Sequence, residues 1–95
     1  MKTRFYIQLS IKTAEGLESY GRFHIGDKRA AAVNLFGQLK GNSVIGDANY
    51  LFMELMETVD GLPFNLQLIS CTLDEVAYNC RLISKEVFQL ANLKS

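Results

Sequence analysis

The chain has no surplus of positive charge: ten Lys and Arg are balanced by ten Asp and Glu over 95 residues. A dedicated binder of duplex nucleic acid draws much of its affinity from neutralising phosphates and usually carries a basic surplus. Histidine is scarce as well. His24 stands alone, so no pair of imidazoles can share a metal ion or relay protons. With only Cys71 and Cys80 beside it, the common Cys/His zinc patterns are excluded. No apolar run approaches the length of a bilayer span. There is no phosphate loop or dinucleotide fingerprint, and no glycine–aromatic motif of the RNA-recognition type. Neither metal, cofactor nor membrane is expected.

Two cysteines are also too few for a disulfide framework. Cys71 falls at a strand end and Cys80 inside the helix that follows. Along that helix they stand about 12 Å apart or more, too far for a bridge. Two unpaired thiols fit a reducing compartment, and the cytoplasm is expected. The N-terminal segment agrees: Phe5, Ile7, Leu9 and Ile11 alternate with Tyr6, Gln8, Ser10 and Lys12, the pattern of a strand and not of a secretory leader.

What the chain does have is an internal echo. Slid by 45 residues, Thr13-Ala14-Glu15-Gly16-Leu17 falls on Thr58-Val59-Asp60-Gly61-Leu62, and Ala32, Asn34 and Lys40 fall on Ala77, Asn79 and Lys85. Each half also reads as strand, turn, strand, helix. Residues 5–40 and 50–85 are therefore expected to be similar units within one domain spanning residues 1–95.

The pattern supports that order. Tyr20 to Ile25 alternates as a second strand and pairs with the first across Glu15-Gly16. Asp27 is the expected N-cap of a helix over residues 28–40, with Ala32, Leu35, Phe36 and Leu39 on one face and Gly41 as its stop. Residues 41–49 read as a loop anchored by Val44 and Ile45. Tyr50 to Thr58 has strong helix formers, yet its alignment with the first strand makes it a strand. Phe64, Leu66 and Leu68 alternate as the fourth, with Pro63 at its start, where a missing N–H is tolerated. Thr72-Leu73-Asp74-Glu75 is a capping box. It opens a helix whose stripe is Leu73, Val76, Ala77, Cys80, Ile83, Val87 and Leu90. The fold class is α+β, a two-layer sandwich. A mainly antiparallel four-stranded sheet, duplicated as ββα-ββα, carries both helices on one face.

Function is less legible. If the helices cover Phe5, Ile7, Leu9, Ile11, Phe23, Ile25, Leu66 and Leu68, the other face meets something else. In the 45-residue register Leu51, Met53 and Leu55 align with the outward Tyr6, Gln8 and Ser10. Ile69 takes the place of His24. An apolar outer face calls for a cover. The leading expectation is a cytoplasmic interaction or assembly module, without catalysis. It would form a homodimer, or bind a protein partner, through Leu51, Met53, Leu55 and Ile69. A second expectation is a regulatory protein binding a small ligand on Tyr6, Tyr20, Arg22 and His24, or an anion at Lys28 and Arg29 where the first helix opens. A third is single-stranded nucleic acid stacked on the Tyr/Arg face, although tyrosines and long polar residues are ordinary on exposed strands. An enzyme using Cys71 or His24 is the weakest reading. His24 suits a solvated strand position, and Asp74 and Glu75 disfavour a Cys71 thiolate.

Overall fold

The structure, a computed structural model, describes residues 2–44, 46 and 49–92, with side chains through residue 89. Ile45, expected to anchor the loop, and the side chain of Leu90 lie outside the described residues. The elements run β1 (Thr3–Thr13), β2 (Gly16–Gly26), α1 (Arg29–Gly37), β3 (Leu51–Val59), β4 (Leu62–Cys71) and α2 (Leu73–Asn92). The four strands form one open antiparallel sheet in the order β2-β1-β3-β4. This is the expected α+β arrangement, and residues 50–58 are not helical.

One side of the sheet is covered by both helices. Phe5, Ile7, Met53 and Leu55 pack there with Ala32, Leu35 and Phe36 of α1 and with Val76 and Ile83 of α2. The capping box forms as expected. The Glu75 N–H donates to Thr72 Oγ1 at 3.2 Å, and the Thr72 N–H donates to Glu75 Oε1 at 2.9 Å. Losing such a cap costs about 1 kcal/mol.

The 45-residue echo does not survive as a structural register. Thr13 pairs with Gly16 across one turn and Val59 with Leu62 across the other, an offset of 46. The turns differ in kind. Asp60 and Gly61 both have positive φ, 51° and 86°, as a two-residue type I′ turn demands. In the first hairpin the positive φ falls later, on Gly16 at 120°. Aligning the two glycines therefore misplaces β3 by one residue, which exchanges its faces.

That exchange corrects the expected interface. β1 and β3 pair Ile7 with Leu55, Leu9 with Met53 and Ile11 with Leu51. Leu51, Met53 and Leu55 therefore share the helix-covered side. Met53 and Leu55 are wholly buried and Leu51 packs against the same core. Ile69 pairs with Met53 and joins them. The reason lies in β4. A bulge at Leu66 leaves it between the pairs Leu55–Gln67 and Met56–Asn65. The alternation reverses there, bringing Ile69 in and turning Leu68, expected inside, to the other side opposite Glu54.

Smaller expectations also shift. Lys28, not Asp27, is the N-cap of α1 and makes no side-chain cap bond. The helix stops at Gly37, because the Gln38 N–H turns back to the Leu35 carbonyl at 3.0 Å. Gly41 serves another purpose. A Cβ there would sit 2.8 Å from the Ser70 carbonyl and 2.9 Å from Ile69 Cδ1, so only glycine lets the connection press on β4. Val44 is exposed instead of anchored, as are Leu73 and Ala77 of the expected helical stripe.

Candidate interaction face

The helix-free side is built from two adjacent cross-strand rows. The strand register places His24, Tyr6, Met56 and Asn65 in one, and Arg22, Gln8, Glu54 and Leu68 in the next. Residues directly opposite in antiparallel strands share a face, so each row spans all four strands. The side chains are tied together. The Arg22 guanidinium lies over the Tyr6 ring, 4.9 Å from its centroid, while its Nε donates to Gln8 Oε1 at 3.1 Å. The His24 ring tilts against Tyr6 at 5.8 Å. On the far half, Asn65 Nδ2 donates to Glu54 Oε2 at 2.7 Å.

Three of the four expected ligand-face residues thus meet: Tyr6, Arg22 and His24. Tyr20 does not join them. It is the extra residue of a bulge in β2, between the pairs Leu9–Gly21 and Ser10–Ser19, and is 69% exposed. Tyr6 is itself buried. Its ring is already occupied by Arg22 and His24, so it offers no open surface on which a base could stack. Arg22 and His24 also line, with Phe23, Ser84, Val87 and Phe88, a depression where α2 passes the edge strand β2.

Charge divides this side unevenly. β1 and β2 carry Arg4, Lys12 and Arg22 on it, and β3 carries Glu54. Cations therefore predominate, clustered on the first hairpin. At the opening of α1, by contrast, the Arg29 charge is matched: its Nη1 meets Glu57 Oε2 at 3.2 Å. Lys28 and Arg29 therefore do not form a free cationic pair for an anion.

Cys71 is buried and free, as is the partly buried Cys80. Burial, reinforced by Glu75, pushes the Cys71 thiol up to about 11, which makes it a poor nucleophile at neutral pH. Among the described residues no cluster of His, Cys, Asp and Glu could hold a metal ion, and no helix is long and apolar enough to cross a membrane.

The pattern missed Asn79. It lies fully buried on the helical stripe, where Val76 and Ile83 also point inward. A polar residue three positions after one core residue and four before another was its only signal. Comparison with protein-family models, curated proteins and solved structures finds no match.

Proposed function

We propose that this protein is a non-catalytic interaction module whose helix-free sheet face docks on a partner protein presenting acidic side chains. The observation that carries this is the pair of rows spanning the sheet. Arginine and methionine, residue types enriched in protein interfaces, stand there already held in place, Arg22 over the buried Tyr6 ring and bonded to Gln8, Met56 beside Asn65. Such preorganisation lowers the ordering cost of binding. The cationic excess from Arg4, Lys12 and Arg22 argues against two copies meeting face to face, because like charges would oppose each other. A complementary acidic surface suits the same charges.

A small anionic ligand at Arg22 and His24 is the second reading, since both residues line the depression beside α2. Stacked single-stranded nucleic acid fits less well, because Tyr6 is covered. The free thiols support a cytoplasmic setting. The shared ββα order of the two halves, matched at an offset of 46, supports an internal duplication whose outer faces have diverged. The first half is basic there. The second carries Glu54 and Leu68.

The test is affinity purification from the source cells with the full chain and with a Lys12→Glu/Arg22→Glu variant. Partner proteins identified by mass spectrometry should bind the unmodified chain in a salt-sensitive manner. They should be lost from the charge-reversed variant and kept by Glu86→Lys, a change on α2. Equal recovery by all three would refute the reading. Salt-sensitive binding of a labelled single-stranded oligonucleotide, lost in the variant, would favour nucleic acid instead.

A further inference from the structure

The two edges of the sheet are unlike. β2 carries Glu18, Arg22 and His24, and bulges leave Tyr20 and Ile25 out of register. Charges and bulges of this kind protect an edge from pairing with another chain. β4 also carries one bulge, at Leu66, but unlike β2 it has neither acidic nor basic residues from Leu62 to Cys71. Its side chains at the open end are apolar and uncovered: Leu62 is 65% and Phe64 is 50% exposed, both on the helix side of the sheet opposite Val59 and Glu57.

The chain itself begins to use this edge. Asn42 forms an antiparallel bridge with Ser70, its N–H donating to the Ser70 carbonyl and its carbonyl accepting the Ser70 N–H, both at 2.8 Å. The Ser70 backbone therefore faces outward. With a period of two along a strand, so does that of Leu68. Pro63, which lacks an N–H, marks one end of the usable edge, and the Asn42 bridge marks the other.

We infer that residues 64–69 of β4 pair antiparallel with the same strand of a second copy, joining two four-stranded sheets into one of eight. A second copy suits this edge for two reasons. Antiparallel self-pairing is two-fold symmetric, so one strand supplies both sides of the interface. With no charge from Leu62 to Cys71, the strand meets no like charge in its twin. The pairing would also bring Leu62 and Phe64 beside the apolar side chains of the other copy. This surface is separate from the helix-free face and does not depend on it.

Sedimentation of the full chain over a wide concentration range tests the proposal, with hydrogen exchange at the Leu68 amide as a second readout. The expected result is a dimer that grows with concentration and slows exchange at Leu68. Leu62→Lys/Phe64→Lys, at exposed positions, should weaken dimerisation at least tenfold while circular dichroism stays unchanged. Arg22→Glu should leave it intact. A monomer at every concentration overturns the proposal, as does a dimer that the double lysine variant retains. A chain that stays monomeric, yet slows Leu68 exchange on adding an extended peptide of another sequence, assigns the edge to a foreign strand and overturns the second copy.

Discussion

The side-chain amide of Asn79 holds the backbone of Lys40 by both of its polar groups. Asn79 Oδ1 accepts the Lys40 N–H at 2.7 Å, and Asn79 Nδ2 donates to the Lys40 carbonyl at 2.8 Å. A residue in α2 thus imitates one rung of a sheet for the segment leaving α1. The same amide lies 3.5 Å from Met53 Sδ, so the contact joins α2, the α1–β3 connection and the central strand. Asn79→Ala should destabilise the fold by about 2–4 kcal/mol, from lost hydrogen bonds and a buried cavity together. Urea denaturation measures it, and an unchanged midpoint would mean that the connection does not need this anchor.

Glycine-to-alanine replacement should have opposite signs at two nearby positions. At Gly41 the new Cβ meets the Ser70 carbonyl, which the Asn42 N–H holds in place. A loss of about 1–3 kcal/mol is expected for such overpacking. At Gly37, the last residue of α1, a Cβ meets nothing within 4 Å. Alanine there should stabilise by about 0.5–1 kcal/mol through helix propensity. Thermal melts of the two variants should move in opposite directions.

Met53 and Leu55 supply a decisive contrast. Both are fully buried beneath the helices, so Met53→Glu/Leu55→Glu places two carboxylates in the core. The expected product is unfolded, since each buried charge costs several kcal/mol. Far-ultraviolet circular dichroism decides it. A folded, more soluble monomer would restore these residues to the surface.

The Cys71 thiol links stability to alkaline pH. Burial, then Glu75, raises it from 9.0 to about 11. Above its ordinary value the unfolded chain therefore releases this proton first. The contribution of Cys71 is constant below about pH 9 and declines between about 9 and 11. Denaturation midpoints across that range should fall less steeply for Cys71→Ala than for the unmodified chain. Equal slopes would contradict the assignment. Burial raises Cys80 also, so native labelling of both thiols at pH 8 should be far slower than in denaturant.

Much of the fold was legible because its signals are local. Alternation marked β1, β2 and β4, the likeness of the two halves marked β3, and Thr72 with Glu75 marked the start of α2. The failures come from quantities that one-residue shifts control. Gly16 and Gly61 look equivalent, but one follows its turn and the other lies within it, so the alignment inverted β3. The Leu66 bulge inverted the end of β4 in the same way. Neither shift leaves a mark in hydrophobic periodicity, because β3 is apolar at both parities: Leu51, Met53 and Leu55 on one, Phe52 and Met56 on the other. The Arg22–Tyr6–His24 cluster was legible from alternation in the first hairpin. Its partners Met56 and Asn65 depend on the β1–β3 and β3–β4 registers, which no local signal carries.

The strand order has a consequence in time. Each hairpin closes over a turn of a few residues. The central ladder joins Ile11 to Leu51 and Thr3 to Val59, partners that lie 40 and 56 positions apart by subtraction of those numbers. Closing so long a loop is entropically costly before any contact rewards it. The seam between β1 and β3 is thus expected to set the pace of folding, with the hairpins forming as early local units. Stopped-flow refolding of Leu9→Ala, which thins that seam, should be slower than that of a variant trimmed only at the outer edge, and equal rates would place the slow step elsewhere.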